Sequence, residues 1–126
     1  MSKRPEEWFR QADYDLKTAQ VLYENARYIH AVFMCHLCIE KALKGLYYKK
    51  LDTMPPRSHN LIFLSERIGL EVPATLSDWF FNLNRLSVLT RYPDDLHEMA
   101  GSYSKDLVRE MLEKTGEALQ WLKTEL

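Results

Sequence analysis

The sequence has little of what β-rich, secreted or membrane-spanning proteins need. Of its 126 residues only 4 are glycine and 5 are proline, which disfavours a multi-stranded fold with many turns. The 2 cysteines are too few for a disulfide scaffold. No apolar run approaches the roughly 20 residues of a membrane-spanning helix, and residues 1–7 lack the apolar stretch of a signal peptide. We therefore expect a cytoplasmic protein without membrane contact.

Net charge is also nearly absent. The formal net charge is -1, so any contact with nucleic acid must come from a local basic patch and not from the field of the whole protein. What the chain does have is 46% hydrophobic and 28% charged residues, the balance of a folded globular protein. Its length suits one hydrophobic core, which predicts a single domain over residues 1–126.

Apolar residues recur at spacings of three and four along five segments, which predicts amphipathic helices. The predicted helices cover residues 5–25, residues 28–50, a short stretch capped by Ser58 and ended by Gly69, a stretch from Pro73 to Pro93, and a last stretch opened by Ser102 or Ser104. The connection over residues 94–101 is expected to be partly helical. No stretch alternates with a period of two. We therefore predict an all-α, up-and-down bundle of about five helices.

Residue types that bind metals are present but are not arranged as ligands. Cys35 and Cys38 lie one helical turn apart, and no second cysteine pair exists to complete a tetrahedral zinc site. Both fall on an apolar stripe, where cysteine serves as a small core residue. Asp13 and Asp15 lie two apart and are expected on the solvated surface. Glycine-rich phosphate loops, GxSxG and HExxH are absent, so no metal and no cofactor is expected.

The segment Pro55-Pro56-Arg57-Ser58-His59-Asn60 lies at the start of the third predicted helix. Free backbone N–H groups and the helix dipole favour anions there, which makes Arg57, Ser58 and His59 candidate nucleotide- or phosphate-binding residues. Alternatively, Ser58 only caps the helix while His59 hydrogen-bonds a neighbouring helix end and fixes the turn. The sequence leaves both interpretations open.

Arg91 and His97 flank a break at Pro93. An arginine can stabilise the charge of a phosphorane-like transition state. A histidine can take the proton of a ribose 2′-hydroxyl or protonate a leaving oxygen near neutral pH. The two are therefore candidate catalytic residues, and Arg91 is also a candidate phosphate ligand. The alternative is that Arg91 pairs with Asp94 or Asp95 and shapes the turn, with His97 exposed.

Trp79, Phe80 and Phe81 are consecutive aromatic residues on the fourth predicted helix. One face of a helix cannot bury all three within a monomer. We expect at least one of them to lie at an interface, as in a homodimer.

Four short motifs follow one another along the chain. They are Trp8-Phe9-Arg10-Gln11-Ala12 with Asp15-Leu16 and Ala19, then Ala31-Val32-Phe33 with Glu40-Lys41-Ala42-Leu43-Lys44, then Pro56-Arg57-Ser58-His59-Asn60-Leu61, and finally Arg91-Tyr92-Pro93-Asp94. In this order and spacing they resemble the motifs of the HEPN (higher eukaryotes and prokaryotes nucleotide-binding) family. Together they span nearly the whole chain.

The resemblance implies a helical bundle that is similar to the helical half of kanamycin nucleotidyltransferase and forms a homodimer. Such proteins bind nucleotide or RNA and are typically paired with a separate minimal nucleotidyltransferase, in arrangements interpreted as toxin–antitoxin modules. Catalytic members are metal-independent ribonucleases that use an arginine followed, after four to six residues, by a histidine. Arg91 and His97 match that spacing, with Tyr92 in a place where those members carry Asn, Asp or His. A non-catalytic dimeric adaptor is the remaining alternative.

Overall fold

The computed structural model describes residues 4–126, which form six α-helices and, within that range, no strand. The helices are α1 (Pro5–Glu24), α2 (Tyr28–Leu51), α3 (Leu61–Ile68), α4 (Ala74–Arg91), α5 (Leu96–Gly101) and α6 (Lys105–Thr124). The predicted all-α bundle is confirmed. The sixth helix is α5, which forms within the connection that was expected to be partly helical.

Helix α2 lies at the centre of the bundle and packs against each of the other five helices. Residues on almost every side of it are buried, so it lacks the single apolar stripe of a surface helix. Ile39, Leu43 and Leu46 of α2 are fully buried, as are Phe80 of α4 and Leu119 of α6. The core therefore surrounds α2, and any buried polar side chain on α2 must find a partner inside the protein.

Helix ends follow local sequence signals, with one correction. Pro5 occupies the first turn of α1, the Ser104 hydroxyl accepts a hydrogen bond from the Leu107 N–H at 3.1 Å, and Gly69 ends α3 with a φ of 80°. The prediction that Ser58 caps α3 is wrong. Asn60 is the N-cap, because its side-chain oxygen accepts from two backbone N–H groups of the first turn.

Helices α1 and α2 are joined by residues 25–27 and form a closely packed antiparallel pair. At Gly45 a Cβ atom would lie 2.9 Å from Trp8 Cβ and 3.1 Å from the Phe9 ring. The same pair of helices buries Asp15, which is only 5% exposed and whose Oδ2 lies 2.8 Å from Lys41 Nζ. The prediction of a solvated Asp15 is therefore wrong, because its cationic partner lies on the neighbouring helix.

The predicted aromatic cluster of α4 divides between the core and the surface. Trp79 and Phe80 are buried, and the Trp79 Nε1–H donates to Thr115 Oγ1 of α6 at 3.2 Å. Phe81 remains 65% exposed. No helix in residues 4–126 is long and apolar enough to cross a membrane.

Candidate functional site

A cavity of about 300 Å³ opens between α2, the start of α3 and the end of α4. Its wall includes two of the predicted site residues, His59 and Arg91, which are far apart in sequence. His36, Asn60, Asn84 and Ser87 complete much of the polar part of the wall. The fold thus brings together two turns that the sequence marked independently.

An amide bridge holds the start of α3 against α4 beside this cavity. The Asn84 Oδ1 accepts from the Leu61 N–H at 2.9 Å, and the Asn84 Nδ2 donates to Asn60 Oδ1, also at 2.9 Å. The Asn60 oxygen in turn accepts from the N–H groups of Ile62 and Phe63. The first N–H groups of α3 are therefore satisfied by protein side chains, and an anion in the cavity must be bound by other groups.

Glu40 is a buried carboxylate directly behind His59. It is 4% exposed, and its Oε1 accepts a hydrogen bond from His59 Nδ1 at 2.9 Å. Its Oε2 accepts from Lys44 Nζ, one helical turn along α2, at 3.1 Å. A buried carboxylate is costly unless it is paired, and here both of its oxygens have cationic or N–H partners. The partner of His59 is thus the middle of α2, whereas the sequence suggested a helix end.

His36 fixes the backbone of the same turn. Its Nε2 lies 2.9 Å from the His59 carbonyl oxygen, so this nitrogen carries the hydrogen and donates. Burial lowers the pKa of His36 from its ordinary value of 6.5, against the opposing effect of Glu40. The ring is therefore neutral near pH 7, and its buried Nδ1 has no hydrogen-bond partner among residues 4–126, with Glu40 Oε1 at 3.8 Å.

Arg91 lies at the end of α4, where its guanidinium carbon is 5.1 Å from the centroid of the Phe33 ring. Within residues 4–126 no carboxylate lies at ion-pair distance from it. The alternative that Arg91 pairs with Asp94 or Asp95 is therefore wrong. Asp95 instead caps α5 by accepting from the Glu98 N–H at 3.0 Å. Arg91 keeps a full positive charge beside the cavity.

Comparison with known proteins identifies the family of this chain. The family model of the HEPN domain, which describes the sequences of that family, matches residues 5–125 of this chain. The chain belongs to the HEPN family. The crystal structure of TT1696 from Thermus thermophilus is 26% identical, has a TM-score of 0.86, and is matched over 99% of this chain and 100% of that one. The structure of ST0689, an archaeal HEPN homologue, is 24% identical with a TM-score of 0.79 over 98% of both chains, and it supports the fold alone. No curated protein sequence matches the chain.

The HEPN fold separates the other predicted site residues from the cavity. Arg57 is exposed, and Ser58 accepts a hydrogen bond from the Asn60 N–H at 3.1 Å. His97 is exposed in the first turn of α5. None of the three belongs to the cavity wall. His59 and Arg91 therefore line the same cavity, whereas His97, the predicted catalytic partner of Arg91, does not line it in the monomer.

Several residues around the candidate site of this HEPN chain were not predicted from the sequence to be site residues. Glu40 and Lys44 carried one signal, because a glutamate four residues before a lysine forms a helical ion pair. Neither the sequence position of His36 nor that of Asn84 indicated that their side chains would hold the turn around His59. Those contacts span more than twenty residues and depend on how α2, α3 and α4 pack.

The two cysteines of the HEPN chain, which the sequence offered as metal-binding residue types, lie in the core. Cys35 and Cys38 are fully buried in the core, as expected, and burial raises the pKa of the Cys35 thiol to about 11 and that of Cys38 well above its usual range. Both thiols are therefore unreactive. In residues 4–126 no group of three or more His, Cys, Asp or Glu side chains could hold a metal ion.

Proposed function

We propose that this HEPN protein binds a phosphate-bearing ligand, a nucleotide or an RNA, in the cavity between His59 and Arg91. The observation that carries the proposal is that the Arg91 guanidinium lies at the cavity wall and has no carboxylate partner among the described residues. An arginine in that state can form a bidentate pair with a phosphate. The cavity of about 300 Å³ is at the small end of ligand sites and suits one nucleotide unit.

The ligand groups of the proposed site are side chains. The N–H groups of Leu61, Ile62 and Phe63 already donate to the side chains of Asn84 and Asn60. The start of α3 therefore has few free N–H groups that could bind an anion. The imidazole of His59 is 58% exposed and its Nδ1 is bonded to Glu40, so its Nε2 is the ring nitrogen free to contact a ligand. Arg57 is exposed nearby in sequence and, in this proposal, contributes long-range attraction only.

Calorimetric titration with AMP, inorganic phosphate and a short single-stranded RNA tests the proposal. Removal of a charged hydrogen-bond donor typically costs about 1.5–3 kcal/mol, so Arg91→Gln is expected to weaken binding by about 10- to 140-fold. Arg109→Gln is the matched control, because it removes the same charge from an exposed arginine of α6 that pairs with Asp106. Equal weakening by both substitutions, or no binding by the wild type, would contradict the proposal.

The second part of the proposal concerns partners. We infer a homodimer that associates with a separate minimal nucleotidyltransferase, as in a toxin–antitoxin pair. Three large side chains along α4 and at its C-cap, those of Phe81, Val88 and Tyr92, are 65%, 65% and 76% exposed, which supports an unfilled protein interface. Co-expression with a candidate nucleotidyltransferase followed by size-exclusion chromatography tests this association. Separate elution of the two proteins would count against it.

The ribonuclease that uses Arg91 and His97 is the second candidate function. His97 is exposed on α5, so it is accessible to an RNA or to Arg91 of a second subunit. The expected result is RNA cleavage in EDTA, with ends that carry a 2′,3′-cyclic phosphate, and loss of cleavage in His97→Ala. Undiminished cleavage by that variant would remove His97 from the mechanism.

A further inference from the structure

A second and larger cavity, of about 700 Å³, lies between α4, α5 and α6. Its volume is well within the range of small-molecule sites in proteins. Neither His59 nor Arg91 belongs to its wall, so the proposed phosphate site does not use it. The wall has a chemistry of its own, which indicates a different class of ligand.

Much of the wall is apolar or aromatic. Trp79, Tyr103 and Met111 line it and are buried, and Leu86 and Met99 extend the same surface. Burial of apolar area against such a wall stabilises a bound ligand. The occupant is therefore expected to have an apolar body.

The charged side chains of the wall are mostly acidic. Two cations and four carboxylates line the cavity, a formal net charge of -2, and they are Arg85, Lys114, Asp94, Asp95, Glu98 and Glu110. None of the six forms an ion pair within residues 4–126. Carboxylates without cationic partners beside a low-dielectric wall attract positive charge. The cavity therefore favours a cation over a phosphate.

The four carboxylates are distributed around the cavity. Asp94 and Asp95 lie between α4 and α5, Glu98 lies on α5, and Glu110 lies on α6. A divalent metal ion requires several oxygen ligands at roughly 2–2.6 Å. In the described part of the chain no group of three or more His, Cys, Asp or Glu side chains could hold such an ion. The distribution instead fits a ligand whose positive charges are separated by a spacer.

Two aromatic side chains of the wall point to the same class of ligand. Tyr103 is only 8% exposed, and its hydroxyl makes no hydrogen bond within residues 4–126. Its oxygen is therefore free to accept from an ammonium group in the cavity. Lys114 Nζ lies 5.6 Å from the centroid of the Trp79 ring, so the wall already accommodates one alkylammonium group over an aromatic face.

We propose that this cavity binds an aliphatic polyamine, a chain of methylene groups that carries two or more ammonium groups. The methylene groups pack against the apolar wall, while the ammonium groups pair with Glu98 and Glu110 and donate to the Tyr103 hydroxyl. Lysine side chains combine an apolar stem and a charged end on protein surfaces in the same way. The site is independent of phosphate binding at Arg91, so either proposal can fail without the other.

Calorimetric titration with 1,8-diaminooctane and with decanedioate tests the choice of ligand. Both have eight methylene groups between their end charges, which are positive in the diamine and negative in the dicarboxylate. We expect binding of the diamine only. 1,3-Diaminopropane carries the same two charges on a shorter spacer and is expected to bind at least about 10-fold more weakly, because it buries fewer methylene groups.

Three results of these titrations would overturn the proposal. They are binding of decanedioate as tight as that of 1,8-diaminooctane, equal affinity for the two diamines, and no binding of 1,8-diaminooctane by wild type at millimolar concentrations.

Removal of two carboxylates tests the position of the site. The double variant Glu98→Gln/Glu110→Gln leaves two carboxylates and two cations on the wall. Its affinity for 1,8-diaminooctane is expected to fall by about 2- to 30-fold, the range for the loss of two exposed charge pairs. Glu71→Gln/Glu117→Gln is the matched control, because it removes two exposed glutamates that lie outside the wall. Equal weakening by the two double variants would overturn the assignment.

Methyl NMR spectra of the methionines provide a signal from the cavity itself. Met99 and Met111 line the wall, whereas Met34 and Met54 do not. We expect 1,8-diaminooctane to shift the first two methyl signals and to leave the other two in place. The same spectra show whether each double variant keeps the fold. Shifts confined to Met34 and Met54, or no shift at a saturating diamine concentration, would overturn the proposal.

Discussion

At the scale of single residues, the geometry of the site depends on the partners of one buried carboxylate, that of Glu40. Glu40 contacts His59 and Lys44 at hydrogen-bond distance and has His36 Nδ1 at 3.8 Å. Loss of one partner from such a buried group is strongly destabilising because the remaining charge stays out of water. The same cost keeps His59 in place, so stability and the geometry of the site are linked through Glu40.

His36 predicts a pH dependence of stability. Burial lowers its pKa from 6.5, so near that pH the unfolded chain binds a proton that the folded protein does not. The free energy of unfolding therefore rises with pH in this region. As the pH drops below 6.5, the free energy of unfolding decreases, and it stops decreasing below the lower pKa of the folded state. The slope is at most about 1.4 kcal/mol per pH unit.

The measurement is urea unfolding of wild type and His36→Gln between about pH 5 and pH 7.5, where histidine titrates. Glutamine keeps an N–H donor for the His59 carbonyl but does not titrate, so the variant is expected to show a flatter dependence. His30→Gln, at an exposed position of α2, should keep the wild-type slope. An unchanged slope in His36→Gln would show that other groups cause the dependence.

The residue-scale predictions from sequence succeeded where the cause was local. Cys35 and Cys38 were expected in the core from helical periodicity, and both are fully buried. Asp15 was misplaced because its ion pair with Lys41 joins two helices. Sequence spacing along one helix cannot reveal such a contact, and the bond from Glu40 to His59 escaped detection for the same reason.

At the scale of helices, the close approach of α1 and α2 requires Gly45. A Cβ atom there would lie 2.9 Å from Trp8 Cβ, which is shorter than a van der Waals contact. Alanine favours a helix over glycine by about 1 kcal/mol, but separation of the two helices is expected to cost about 1–3 kcal/mol. We therefore expect Gly45→Ala to lower the free energy of unfolding.

Gly116→Ala provides a matched control in α6, where a Cβ atom would meet nothing within 4 Å. There only helix propensity acts, so this variant is expected to be more stable than wild type by about 0.5–1 kcal/mol. Urea unfolding of both variants measures the difference. A stabilised Gly45→Ala would show that α1 and α2 do not pack as closely as in the structure.

Helix boundaries were predictable because their signals are short-range. Gly69 and Ser104 end or begin helices as their residue types indicate. The cap of α3 was assigned to Ser58, whereas Asn60 takes that place. The Asn60 side chain is held at the helix start by Asn84 of α4, a contact between helices that the residues around the cap could not indicate.

At the scale of the whole molecule, α2 is covered on almost every side, whereas α4 keeps an uncovered apolar face. Phe81, Val88 and Tyr92 are separated by seven and four residues, a spacing that follows one side of the helix to its C-cap. All three are well exposed. The consecutive aromatic residues indicated from sequence alone that one of them would face outward, but the identity of that residue depended on the packing of Trp79 and Phe80 against the core.

The exposed face of α4 predicts how the protein assembles. We expect wild type to sediment as a dimer and Phe81→Asp to sediment as a monomer, because a carboxylate at an apolar contact must be desolvated without a partner. The dissociation constant is expected to rise by about 100-fold or more, as for a central interface residue. Tyr14→Asp is the control, since it introduces the same charge at an aromatic residue of α1 that is 71% exposed. It should remain a dimer. If wild type sediments as a monomer at every concentration, or if Tyr14→Asp dissociates as fully as Phe81→Asp, the face of α4 is not the contact between subunits.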